Sequence, residues 1–150
     1  MRHRGAMVTG CLAALAVVMG GCGKSLPEVI PVRGAATLAG KPVVLMDVVF
    51  HPLPGTQGSG AVGRTGTDGR FEMVAVVGGE TRVLKGARPG RYRVAFAEPD
   101  LYAPDGTPQP RPKSAGTVAI PQRYMDPTAS PLEVEVIAGM PELILDVPSK

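Results

Sequence analysis

Tryptophan is missing from this 150-residue chain, and tyrosine and phenylalanine number only three each. Rings on which sugars or unpaired bases could stack are therefore scarce, which weighs against glycan and single-strand recognition. Histidine is nearly as rare, with only His3 and His51, and cysteine appears only as Cys11 and Cys22. A zinc centre asks for three or four His, Cys or carboxylate ligands, a set that His51 cannot start alone. No helical hydrophobic period persists anywhere. What the chain has in quantity is Gly (20) and Pro (16), spread without a triplet period, so turns must be frequent. With 44% hydrophobic residues, one folded domain is expected rather than long disorder.

Arg2, His3 and Arg4 precede an apolar run, residues 6–19, and the small pair Gly20-Gly21 stands before Cys22. This is the layout of an export signal, and the 17 residues of 5–21 are at the lower limit for crossing a bilayer. Met19-Gly20-Gly21-Cys22 resembles the bacterial lipobox, with Met19 where Leu is usual. The resemblance implies cleavage between Gly21 and Cys22 and a diacylglyceryl group on the Cys22 thiol. Cys11 would leave with the signal, so no internal disulfide remains. Two or three acyl chains anchor a protein stably, at about 0.8 kcal/mol for each buried CH₂. Loss of Arg2 and Arg4 takes the basic side chains from 16 to 14 against 13 acidic, so the formal charge falls from +3 to +1. Nucleic acid is not an expected partner of so neutral a body.

After a tether, residues 22–29, β-branched runs recur between Gly, Pro and Asp punctuation. Strands are expected at 29–38, 43–51, 61–65, 70–77, 91–97, 132–136 and 142–147. The second is apolar on both faces, as in a central or bulged strand. Asp68-Gly69 reads as a tight hairpin turn, and Phe71, Met73 and Ala75 share a face beyond it. In 91–97, Tyr92, Val94 and Phe96 alternate with Arg91 and Arg93, which marks a half-buried strand. Tyr92 is expected in the core, its hydroxyl bonded to a backbone group. Seven strands without a helix predict an all-β sandwich over residues 30–148, interrupted by a Pro-rich loop at 98–131.

The segments Val32-Arg-Gly-Ala-Ala-Thr-Leu-Ala-Gly-Lys-Pro42, Thr65-Gly-Thr-Asp-Gly-Arg-Phe71 and Gly86-Ala-Arg-Pro-Gly-Arg-Tyr-Arg-Val94 resemble, in this order, the carboxypeptidase regulatory-like (transthyretin-like) domain. The stretch Ile120-Pro-Gln-Arg-Tyr-Met-Asp-Pro-Thr-Ala-Ser-Pro-Leu132 is similar to the C-terminal half of small lipoproteins of the planctomycete type. The resemblance implies a seven-stranded transthyretin-like or Ig-like sandwich. Gly66 stands where that family often has Asp, which leaves Asp68 alone in the turn. The fold's hydroxyisourate hydrolases need His and Arg residues and a Tyr-Arg-Gly-Ser ending, and its intradiol dioxygenases need two His and two Tyr. The chain ends Asp146-Val-Pro-Ser-Lys150, and once His3 leaves with the signal His51 is its one histidine, so neither set is expected.

Catalytic and cofactor-binding groups are thus not expected. Gln57-Gly-Ser59-Gly-Ala61 lacks the outer glycines of a nucleophile elbow. Glu98, Asp100 and Asp105 do not have the spacing of a calcium loop. The charged faces Arg91/Arg93 and Glu133/Glu135 would pair if their strands were neighbours. The expectation is a non-enzymatic lipoprotein of the cell envelope, held to membrane lipid through acylated Cys22. Its candidate interaction loop carries Tyr102, Pro108, Pro110, Pro112 and Tyr124, the prolines favouring an extended, low-entropy segment. The partner would be an envelope protein. The alternative is a glycan or small-ligand module that stacks its ligand on Tyr102 and Tyr124.

Overall fold

The computed structural model describes residues 27–76, 83–110 and 119–149. The apolar run, Gly21, Cys22 and Pro112 lie outside them. The elements in chain order are β1 (Arg33–Leu38), β2 (Lys41–Pro42), β3 (Asp47–Pro52), β4 (Ala61–Arg64), β5 (Arg70–Glu72), β6 (Val74–Ala75), β7 (Leu84–Lys85), β8 (Gly90–Ala97), the helical turn α1 (Gln122–Met125), β9 (Glu133–Val136) and β10 (Leu143–Val147).

They form two sheets around one core. The larger has the order β7-β6-β4-β3-β8-β9. In the smaller, β1 pairs in parallel with β10 on one side, while β5 and β2 lie end to end along its other side. Alternation decides which side chains enter. In β8, Tyr92, Val94 and Phe96 are buried and Arg91 and Arg93 point outward. From β3, Val48 and Phe50 meet them, with the rings of Phe50 and Tyr92 5.5 Å apart. A fully buried side chain of this size contributes about 2–3 kcal/mol. The Tyr92 hydroxyl donates to the Arg88 carbonyl at 2.9 Å, as expected for a buried phenol, and burial pushes its pKa up. Gly34 lets the sheet close. A Cβ there would lie 2.5 Å from the Leu143 carbonyl oxygen and from the Phe71 ring.

The described residues hold ten strands where seven were expected, and the three extra have identifiable causes. The expected strand at 70–77 changes sheet at Met73: β5 pairs with β1, then β6 pairs with β4 and β7. Its alternation survives, since Phe71, Met73 and Ala75 are all buried. β2 lies between the strands expected at 29–38 and 43–51, and β7 between those expected at 70–77 and 91–97. The apolar strand expected at 43–51 begins only at Asp47, because Leu45 takes a positive φ of 50° that breaks the run. Such a conformation costs a non-glycine residue about 1–2 kcal/mol, offset here by the burial of Val43 and Met46 on either side. Asp68-Gly69 does form a tight turn, with Gly69 at φ 78°. It is not a hairpin, because β4 and β5 belong to different sheets. The expectation of no helix also fails, at α1.

The register fixes two poles. Arg33 lies opposite Glu72, so antiparallel β5 ends where β1 begins, and β6 continues in the direction of β5. The Val76 N–H donates to the Gly60 carbonyl, just before β4. Pro52 at the end of β3 faces Tyr92 near the start of β8, and Gly90 faces Val136 at the end of β9. Ile30, bridged to Ala87, therefore shares a pole with Val76, Gly60, Gly90 and Val136. At the other pole Ala97 faces Asp47, which faces Arg64.

Candidate interaction surface

The excursion between β8 and β9 leaves from the Ala97 pole. Its first half is a small hairpin. Tyr102 bridges Pro108, the Gln109 N–H donates to the Leu101 carbonyl at 2.7 Å, and the Ala103 N–H donates to the Thr107 carbonyl at 2.9 Å. Asp105 sets the tip: its Oδ1 accepts from the Thr107 N–H at 3.0 Å and from the Thr107 hydroxyl at 2.6 Å, and the hydroxyl bond, the larger cause, holds its carboxyl below the usual range. Tyr102 is 61% exposed on this hairpin, and Pro108 and Pro110 beside it are exposed as well.

The second half packs down instead. Tyr124, on α1, is only 3% exposed and belongs to the core together with Ile120. The Arg123 guanidinium lies 4.8 Å from the centre of its ring and donates to its hydroxyl at 3.1 Å. A ring so enclosed offers no open face to a sugar, so the two candidate stacking tyrosines do not act together. Past α1 the Ser130 hydroxyl is buried and donates to the Val94 carbonyl, while Arg93 donates to the Thr128 carbonyl at 3.1 Å. The chain is thereby pinned across β8. Ser130 was not singled out in the sequence, and no local pattern could have shown that its partner lies 36 positions away.

The charged strand faces do meet. Arg91 faces Glu135 and Arg93 faces Glu133 across the β8–β9 ladder. Glu133 takes both guanidinium groups, Arg91 at 3.0 Å and Arg93 at 3.3 Å. Exposed pairs of this kind contribute a few tenths of a kcal/mol, about 0.2–1 each.

A shallow cleft on the flank is lined by Arg33, Arg64, Arg70, Phe71, Glu72 and Glu142. Its cations are already compensated: Arg33 by Glu72 at 3.2 Å, Arg64 by Asp47 at 2.7 Å and Arg70 by Glu142 at 2.7 Å. Arg33 and then Lys85 hold the Glu72 carboxyl below its usual range. Such a self-paired surface gives an anion little to bind. His51 stands in β3 opposite Arg93, and burial lowers its pKa, so the imidazole is neutral at neutral pH. Among the described residues no group of three or more His, Cys, Asp or Glu is placed to hold a metal ion. Comparison with family models, curated proteins and solved structures finds no match to this chain.

Proposed function

We propose that this protein is a lipid-anchored, non-catalytic β-sandwich of the bacterial cell envelope that works by protein contact, in the manner of the transthyretin-like lipoproteins its motifs resemble. One observation carries the reading. The exposed hairpin at 101–109, with Tyr102 and Pro108, leaves the sandwich from the Ala97 pole, opposite to Ile30, where the segment following Cys22 joins. A chain held at Cys22 would present that hairpin away from the lipid. The hairpin's bonds reduce the ordering entropy that a partner must otherwise overcome.

Two measurements test the proposal. Intact-mass analysis of the membrane fraction, with and without Cys22→Ala, should find a diacylglyceryl-modified chain beginning at Cys22 only when the thiol is present. In crosslinking pull-downs, replacing residues 101–109 by a short Gly-Ser turn should abolish capture of an envelope protein while leaving the unfolding midpoint unchanged. An unmodified soluble chain, or undiminished capture, overturns the reading. The glycan alternative now depends on Tyr102 alone.

A further inference from the structure

The large apolar side chains left exposed among the described residues are unevenly spread. Tyr102 is on the hairpin of the excursion that leaves from the Ala97 pole. Val76 (46% exposed) and Val83 (72%) extend the β6–β7 register, in which Val74 faces Lys85 and Ala75 faces Leu84, so they stand opposite one another. Both are at the Ile30 pole, where the Val76 N–H meets the Gly60 carbonyl. Ile137 (54%) follows β9 directly at the same pole, since Val136 faces Gly90. Ile144 is on the flank, in the half of β10 nearer that pole. Val76 and Val83 stand at the β6–β7 edge of the larger sheet and Ile137 beside its β9 edge, so the bare side chains mark both sides of one end of the sandwich.

The chain's own geometry names what they meet. Cys22 precedes Ile30 by eight residues, which fully extended reach at most about 28 Å. From Gly90 to Ala97, β8 spans about 24 Å from pole to pole. Only an outstretched tether folded back along the whole sandwich would bring the hairpin to the lipid, whereas the Ile30 pole lies within its reach in any posture. We infer that Val76, Val83 and Ile137 form a lipid-contacting foot on which the sandwich stands at the bilayer interface, with the Tyr102 hairpin pointing away. The inference rests on the Cys22 anchor proposed above. Among the described residues the charges beside the foot do not form a basic patch: Lys85 pairs with Glu72 at 3.4 Å and Arg91 with Glu133, and the half-buried Arg88 is outnumbered by the exposed Glu28 and Glu135. Contact is therefore apolar and independent of anionic headgroups.

The absence of tryptophan gives the test a dark background. The lipidated full chain carrying Val83→Trp, Ile137→Trp or, as control, Tyr102→Trp is reconstituted into phosphatidylcholine vesicles with brominated acyl chains, and its mass is checked for the lipid on Cys22. Emission from positions 83 and 137 should shift to the blue and fall by more than half, equally in vesicles with or without phosphatidylglycerol. Emission from position 102 should stay unchanged. Unquenched signals at 83 and 137 from a chain whose mass includes the lipid overturn the foot and leave the anchor standing. A chain without the lipid overturns both. Blue-shifted emission at 83 and 137 in detergent, with a dimeric mass by sedimentation, assigns the patch to a second copy and also overturns the inference.

Discussion

Asp105 and Asp126 make the same turn. Each Oδ1 accepts from the N–H and the hydroxyl of the threonine two residues on, Thr107 in one case and Thr128 in the other. Around Asp105 the chain folds back on itself and leaves Tyr102 in solvent. Around Asp126 it drops onto β8, buries Tyr124 and pins Ser130 to Val94. Proline content does not separate the two halves, since Pro121, Pro127 and Pro131 flank the packed half as Pro104, Pro108 and Pro110 flank the free one. What differs is the supply of apolar side chains that can reach the core: Ile120, Tyr124, Met125 and Leu132 on the packed side. A turn fixes local geometry, and burial decides whether the segment it shapes belongs to the fold or to the surface.

The contrast can be broken most severely at Tyr124. Tyr124→Ala should lower unfolding free energy by about 3 kcal/mol, read from urea denaturation, because it leaves a cavity the size of a ring in the core. A loss below ~1 kcal/mol would mean that the packed half is only draped over the sandwich. Ser130→Ala comes next. It removes the donor to the Val94 carbonyl and the acceptor of the Leu132 N–H, and should cost about 1–2 kcal/mol in the same assay.

Acid sharpens the comparison. Hydrogen bonds from Thr107 and Thr128 hold Asp105 and Asp126 below the ordinary carboxylate pKa of about 4. A carboxyl depressed on folding stabilises the folded state above its unfolded pKa, and this is lost as pH falls through the lower folded value. Hydrogen exchange below about pH 4 should therefore show the Thr107 and Thr128 amides losing protection together. Only the Asp126 turn should carry neighbours with it, the amides of Ala129 and Ser130 that donate to its carbonyl. Smallest of all is the effect of Tyr102→Ala, within about 0.5 kcal/mol of the parent in stability, while capture of the partner falls. A large stability loss there would place the hairpin in the fold and remove it as an interaction element.

Much of the strand pattern was legible because alternation is a local signal. Tyr92, Val94 and Phe96 needed only their spacing to be placed inside, and Arg91 and Arg93 to be placed outside. The breaks were not legible. Leu45 at positive φ gives no sign in the run of apolar residues around it, and Met73 looks like any core position although the strand changes sheet there. On the candidate surface, composition marked the excursion but treated Tyr102 and Tyr124 alike, since two tyrosines in one Pro-rich segment differ only in what they land on.

The order of the chain alone determined that this is a strand-and-turn protein with few groups suited to chemistry, because two-residue periodicity and side-chain inventory can be read along the chain. Tertiary structure decided that β1 and β10, more than a hundred positions apart, lie side by side in parallel, that one tyrosine is core and the other surface, and that the bare valines gather at one pole. Those outcomes depend on which faces find apolar partners across the sandwich. Burial is a property of the assembled sheets, and no window along the sequence contains it.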